Sequence, residues 1–163
     1  MGKKDVREEK IATLVASYDR EALLLERIAQ HMKHEMELLR AGDYASLCDS
    51  LVGRGEHVDG ITQIEARRRE LEAELSDDRP AVGGAGSLRE AFKDPRVVEA
   101  RRRAAAMHRR ALELDAELRE LARARRAEME RELAELAQGR IASHAYREHG
   151  RAKLAPRFLD KER

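Results

Sequence analysis

The composition of this 163-residue chain excludes a thick globular core. Aromatic residues make up only 3% and tryptophan is absent, whereas charged residues reach 40%. The hydrophobic fraction of 42% contains many alanines, which bury little area. This mixture is typical of long helices that share a thin apolar seam. The formal charge of +1 does not select an anionic partner.

The first predicted helix covers about residues 4–40 and carries an unbroken heptad seam. Its apolar positions follow one another in alternating steps of four and three, which indicates coiled-coil packing. They are Ile11, Val15, Tyr18, Ala22, Leu25, Ala29, Met32, Met36 and Leu39. Gly42 can take the left-handed conformation that ends a helix, and Asp43 can cap the next one. A connection this short predicts an antiparallel helical hairpin.

The second predicted helix covers about residues 44–76 and has a weaker seam. Its predicted seam residues are Tyr44, Leu47, Leu51, Val58, Ile61, Ile64, Leu71 and Leu75. Three glycines at 53, 55 and 60 interrupt it, yet Leu51 and Val58 stay one heptad apart across them. We therefore expect a continuous helix that is locally weak. A hinge, or a partner backbone that approaches closely, is the alternative interpretation.

A linker is predicted over residues 77–94, where aspartate, proline and glycine are frequent. Ser87 and Glu90 have capping-box spacing, which predicts one helical turn over 88–92. Asp94 and Pro95 then begin a third helix of about residues 95–149. The tail 150–163 contains Pro156 and is not expected to continue this helix.

The predicted fold is all-α, an elongated three-helix antiparallel coiled-coil-like bundle forming a single domain. At ~1.5 Å per residue the first two helices span ~50–55 Å and the third ~80 Å. The hairpin cannot cover a helix of that length. Part of the apolar stripe on the third helix, from Met129 onward, is therefore expected to bend back, dimerise or bind another protein.

Sequence motifs for catalysis or cofactor binding are missing. The chain has neither a glycine-rich phosphate loop nor a zinc-binding His-Glu-x-x-His helix. His31 and His34 could chelate a metal, but such pairs are more typical of solvated surface, so we expect no metal and no cofactor. Cys48 is the single cysteine; it is interpreted as a small packing residue, and its isolation favours a reducing, cytoplasmic location. The protein is not expected to be an enzyme.

Arginine runs at 67–69, 101–103 and 123–126 suggest nucleic-acid binding at first sight. Glutamates alternate with these runs, and aromatic side chains that could stack on bases are lacking. Ion pairs along helix surfaces explain the pattern better. Neither a nucleic-acid partner nor stable membrane insertion is expected, because no run approaches the ~20 apolar residues of a membrane span.

The chain resembles the FlgN-type family of flagellar export chaperones. The hairpin resembles the first turn of that family through Leu38, Leu39, Gly42, Asp43, Leu47 and Leu51. The third helix is similar to the family's last helix through Leu114, Asp115, Leu118, Leu121, Leu133 and Tyr146. The ending from Pro156 to Lys161 is similar to a short Phe-and-Asp tail of some members.

The resemblance implies a cytosolic chaperone whose last helix binds its client. The implied partner-binding residues, with Met129 added from the length argument, are Met129, Leu133, Leu136, Ile141 and Tyr146. Implied partners are the C-terminal helical segments of hook–filament junction proteins, and the export gate or ATPase complex of the flagellar type III apparatus. A coiled-coil stalk or ATPase-regulating component of that machinery, and a structural coiled-coil dimer, stay open as alternatives, as does a homo-oligomer.

Overall fold

The computed structural model describes residues 3–77 and 88–153, and in these two ranges every regular element is helical. The helices are α1 (Lys3–Ala41), α2 (Tyr44–Asp77), α3 (Leu88–Ala91) and α4 (Pro95–Lys153). The all-α three-helix bundle is therefore confirmed, with α1, α2 and α4 as its long helices. The chain divides into two compact units, residues 1–121 and residues 122–163.

The α1–α2 turn forms as the sequence predicts. Gly42 has a φ of 73°, and its N–H donates to the carbonyl of Leu39 at 3.3 Å. The N–H of Asp43 donates to the carbonyl of Leu38 at 3.0 Å, which completes a Schellman motif. The Asp43 carboxylate then accepts a hydrogen bond from the backbone N–H of Ser46 at 3.1 Å. Asp43 thus completes the C-terminal cap of α1 and also serves as the N-cap of α2.

The start of α4 also confirms its predicted cap. The carboxylate of Asp94 accepts a hydrogen bond from the backbone N–H of Arg96 at 2.9 Å. Its backbone carbonyl accepts the first helical bond from Val98 at 3.0 Å. The predicted helical turn before it is present as α3. Residues 78–87, most of the predicted linker, and the tail beyond Lys153 lie outside the described residues.

The core of the first unit forms where α1 packs against both α2 and α4. One buried cluster joins the start of α1 to the end of α2 and the start of α4 through Ile11, Leu14, Leu75 and Val97. A second joins the end of α1 to α4 through Met36, Leu39, Leu114 and Leu118, with Leu47 and Ile61 of α2 packed against it. Helices α1 and α4 therefore run parallel, and α2 runs antiparallel to α1.

Two buried ion pairs connect α1 and α2. Glu21 pairs with Arg68, and the fully buried carboxylate of Glu35 accepts from Arg54 Nε at 3.2 Å. On each helix the two charged residues are fourteen positions apart and in register with core residues. These four residues were not predicted to be buried, because charged side chains ordinarily face water.

The prediction of the α2 seam was wrong at three positions, which are exposed rather than buried. Tyr44, Leu51 and Val58 are 39%, 41% and 48% exposed, whereas Leu47, Ile61, Ile64 and Leu71 are half-buried and Leu75 is buried. The reason is that the early part of α2 carries two apolar columns on different sides, and only the Leu47 and Ile61 column reaches the core. Cys48, interpreted as a packing residue, is also exposed.

Helix α2 is continuous through its glycines, as expected. A Cβ added at Gly53 would lie 3.1 Å from His31 Cε1, and one added at Gly60 would lie 3.0 Å from Leu24 Cδ1. These two glycines therefore make room for side chains of α1. A Cβ at Gly55 would meet nothing within 4 Å.

The α4 seam that packs on the core ends at Leu121. Steps of three and four connect its members, which are Val97, Ala100, Ala104, Met107, Ala111, Leu114, Leu118 and Leu121. The next positions in the same phase are Arg125, Glu128 and Glu132, so the apolar seam stops where the first unit stops. The helix itself continues to Lys153, four residues past the predicted end, because Gly150 does not break it. Among the described helices, none has an apolar stretch long enough to cross a membrane.

The Asp43 cap should make the stability of the hairpin depend on pH. Hydrogen bonds from the Ser46 side chain and backbone lower the pKa of Asp43 from its ordinary value. A lowered carboxyl pKa stabilises the fold above the ordinary Asp range near 4, and this stabilisation is lost as the pH falls through the folded pKa. Asp43→Asn keeps an N-cap acceptor that cannot titrate. The stability advantage of the wild type over the variant, measured by thermal unfolding, should therefore shrink as the pH falls from about 6 to about 3. Parallel stability profiles for the two proteins would contradict this.

Arg54→Ala should destabilise the protein by about 3–5 kcal/mol in urea unfolding, because it leaves the Glu35 carboxylate buried without its counter-charge. The double variant Glu35→Leu with Arg54→Leu should unfold near the wild-type midpoint. Arg69→Ala is the matched control, since Arg69 pairs with Glu65 on an exposed helix surface at 3.4 Å; it should cost under about 0.5 kcal/mol. Equal losses in Arg54→Ala and Arg69→Ala would argue against a structural role for the buried pair.

Gly55→Ala should raise the free energy of unfolding by up to about 1 kcal/mol, because alanine restricts the unfolded chain and Gly55 sits in a helix with open space around it. Gly60→Ala should gain less, since Leu24 would have to move. Chemical denaturation checks both variants. A clear loss of stability in Gly55→Ala would contradict a regular helix at this position.

Candidate partner-binding surface

The part of α4 in the second unit is a helix that carries its own local ion pairs. Arg126 Nε donates to Glu130 at 2.8 Å, Arg125 pairs with Glu128, and Arg131 Nε donates to the Ala127 carbonyl at 3.2 Å. Pairs three or four residues apart stabilise a helix by a few tenths of a kcal/mol each. Alanine and arginine, both strong helix formers, fill much of the remaining sequence.

The predicted partner-binding residues all lie on this part of α4, and all are exposed. Exposure increases along the chain, from 41% at Met129 through 63% at Leu133 and 66% at Leu136 to 70% at Ile141 and 86% at Tyr146. In contrast, Leu114 and Leu118 of the first unit are 1% and 8% exposed. Large apolar side chains that remain this accessible are available for binding.

Helix geometry brings only three of the five residues onto one face. At about 100° per residue, Met129, Leu133 and Leu136 fall within an arc of about 60°. Ile141 lies about 80° from Leu133 on one side, and Tyr146 lies about 80° from Leu136 on the other. The predicted five-residue set is therefore one apolar patch with two outlying residues, which spacing along the sequence did not separate.

The patch is short and has an arginine at each end, and the first of these, Arg126, is already paired with Glu130. Ala137 extends it, and Arg126 and Arg140 lie on the same face before and after it. The signal was present in the steps of three and four that connect Arg126, Met129, Leu133, Leu136 and Arg140. Such a surface suits the apolar face of an amphipathic helix.

The arginine runs form ion pairs along single helices, as expected, and also between helices, which was not expected. Arg68 pairs with Glu21 and Arg69 with Glu65, while Arg103 donates to Asp19 at 2.7 Å. In the 123–126 run, Arg125 and Arg126 pair with Glu128 and Glu130. These contacts account for much of the positive charge along the helices.

The histidines of the hairpin line a cleft. His31 Nδ1 lies 3.1 Å from Ser50 Oγ, and the His31 and His57 ring centroids are 5.3 Å apart. Together with Arg27, Gln30 and His34 they surround about 430 Å³. Within residues 3–77 and 88–153, no group of three or more His, Cys, Asp or Glu side chains is arranged to hold a metal ion. His31 contributes to the α1–α2 contact, since it reaches Ser50 and lies beside Gly53.

Comparison of the chain with protein-family models, with curated proteins and with solved structures found no match.

Proposed function

We propose that this protein is a chaperone of the FlgN type, which binds the C-terminal helical segments of hook–filament junction proteins and delivers them to the flagellar type III export apparatus in the cytoplasm. The observation that carries the proposal is the exposed apolar patch of Met129, Leu133 and Leu136 on a regular helix. The sequence resemblance supplies the identity of the clients.

The physical basis of client binding is the burial of apolar surface that is exposed to water in the free protein. A client segment that buries the patch removes its leucines from water, at about 25 cal/mol per Å² of apolar area. Ordering the client helix opposes this gain, and the balance favours moderate affinity. Moderate affinity suits a chaperone that must release its client at the export gate.

The surface also supports the chaperone over the alternative of a coiled-coil stalk. A stalk buries its apolar positions in a continuous seam, whereas the α4 seam changes to Arg125, Glu128 and Glu132 after Leu121. Leucines 133 and 136 follow this charged interruption and stay accessible. A short accessible patch of this kind is typical of a surface with a transient partner.

Replacing Leu133, Leu136 and Ile141 together with serine should weaken client binding by more than about tenfold, because a few buried anchors carry most of the energy of an interface. The melting temperature and helical content should change little, since exposed leucines are not removed from water in the free protein. Circular dichroism and a fluorescence-anisotropy titration with the C-terminal segment of a hook–filament junction protein measure the two effects.

The matched control replaces three comparably exposed apolar residues of the first unit, Leu23, Val98 and Leu112, with serine. They are 49%, 47% and 57% exposed, and this control should bind the client like wild type. If the Leu133 variant loses its helix, these residues belong to a core. If it folds and binds normally, the patch is not the client site.

A further inference from the structure

A small cavity with largely apolar walls opens between α1 and α2. It has a volume of about 210 Å³, and each helix contributes four lining residues at steps of three, one and three. They are Thr13, Ala16, Ser17 and Arg20 of α1, and Ile64, Arg67, Arg68 and Leu71 of α2. Ile64 and Leu71 belong to the predicted seam of α2, yet both are only half-buried. The cavity accounts for this, because it leaves one side of each side chain accessible.

Three of the polar side chains in the walls are already occupied. Thr13 Oγ1 and Ser17 Oγ each donate to a backbone carbonyl of α1, at 2.9 Å and 2.8 Å. Arg68 pairs with Glu21, and its Cζ lies 4.4 Å from the centre of the Tyr18 ring. The charge of Arg68 is thus neutralised, and neither hydroxyl proton is left for a ligand.

The two other arginines, Arg20 and Arg67, line opposite walls of the cavity and are exposed. Within residues 3–77 and 88–153, neither of them forms an ion pair. The nearest acidic residues on this side of the two helices are Glu9, Glu70 and Glu74, and none of the three lines the cavity. The described part of the chain therefore places two positive charges beside an apolar cavity and pairs neither of them.

The volume of the cavity selects the kind of ligand. Sites for small molecules and cofactors usually measure about 300–1,000 Å³, so this cavity is small for such a ligand. It suits a single large apolar side chain, and protein interfaces are commonly anchored by one such side chain in a pocket. A partner protein is therefore favoured over a free amphiphile such as a fatty acid.

The two arginines select the residues that flank this anchor. A guanidinium group binds a carboxylate through paired, charge-assisted hydrogen bonds. Carboxylates on the two sides of the anchor would neutralise Arg20 and Arg67, whereas basic flanks would bring like charges together. The complementary partner segment is therefore acidic around one apolar residue.

We propose that the cavity between α1 and α2 is a docking site for an acidic segment of a partner protein, which inserts one large apolar side chain and places carboxylates against Arg20 and Arg67. The cavity shares no residue with the client surface proposed on α4. The two proposals are therefore independent, and either can fail alone.

The probe is a short capped peptide in which one phenylalanine lies between two glutamates on each side. Fluorescence anisotropy measures its affinity for the full chain at low and at physiological salt, and binding should weaken as salt rises. Replacing the phenylalanine with alanine should weaken binding at least about tenfold, because the anchor is lost. Replacing the glutamates with glutamines should weaken binding at low salt at least about tenfold, because the arginines lose their partners.

The double variant Arg20→Gln with Arg67→Gln tests the role of the two charges. It should fold like wild type, since both side chains are exposed and unpaired, and should bind the glutamate peptide at least about tenfold more weakly. The control is Arg102→Gln with Arg109→Gln, which removes the same charge from two exposed arginines of α4 that form no ion pair within the described ranges. This control should bind the peptide like wild type. An equal loss in both double variants would indicate attraction by net charge and would overturn the proposal.

Ala16→Leu tests the cavity itself. Ala16 is an exposed lining residue of a helix, and leucine is also a strong helix former, so the variant should fold about as stably as wild type. The added side chain should occupy the cavity and weaken binding of the glutamate peptide at least about tenfold. Ala105→Leu is the control, because Ala105 is an exposed alanine of α4, and it should bind the peptide like wild type.

Normal peptide binding by Ala16→Leu, or by the variant that lacks both Arg20 and Arg67, would overturn the proposal. Native mass spectrometry tests the competing ligand. A fatty acid that co-purifies with the wild type but not with Ala16→Leu would overturn the proposal in favour of a small amphiphile.

Discussion

The contact between α1 and α2 depends on a ladder in which apolar and ionic rungs alternate every seven residues. On α1 the rungs are Leu14, Glu21, Ile28 and Glu35, and on α2 they are Leu75, Arg68, Ile61 and Arg54. The two ionic rungs are ion pairs, and each apolar pair belongs to a single core cluster. A shift of one heptad would bury each carboxylate against an isoleucine or leucine, at a cost of several kcal/mol. The buried charges therefore specify the register of the hairpin, as polar residues do in coiled coils.

Helix α4 can join this hairpin along α1 only while its own seam remains apolar. From Val97 to Leu121 the seam supplies alanine, valine, methionine and leucine in steps of three and four. Beyond Leu121 the same phase contains Arg125, Glu128 and Glu132, whose charges would be costly to bury without partners. The apolar residues that follow, Met129, Leu133 and Leu136, stay exposed. One continuous helix thus presents a structural seam and then an accessible patch.

The three glycines of α2 differ in their physical roles, although all three lie within one helix. Gly53 admits the ring of His31, which reaches Ser50, and Ser50 in turn lies 3.5 Å from Glu35. Gly60 admits Leu24. Both therefore permit the close approach of α1 that the ionic rungs require. Gly55 faces outward, where its effect on the hairpin is only the loss of helix propensity.

The amino-acid sequence by itself determined the starts of α2 and α4 and the turn that reverses the chain. Gly42, Asp43, Asp94 and Pro95 act through local backbone chemistry, which needs no distant partner. Heptad spacing also identified much of the buried face of α1, from Ile11 to Leu39, but it missed the buried Leu14 and Ile28. The candidate partner-binding surface was located from the length of the third helix relative to the hairpin and from the family resemblance.

Only the tertiary structure decided which charged residues are buried and which apolar residues are not. Glu35 and Arg54 can leave water because each neutralises the other across two helices, and that pairing depends on a register invisible in either helix alone. Leu51 and Val58 stay exposed because α1 occupies a different side of α2. Helical rotation likewise separated Ile141 and Tyr146 from the patch at Leu133. Spacing along a chain defines the faces of a helix, but the helix packed against it decides which face is buried.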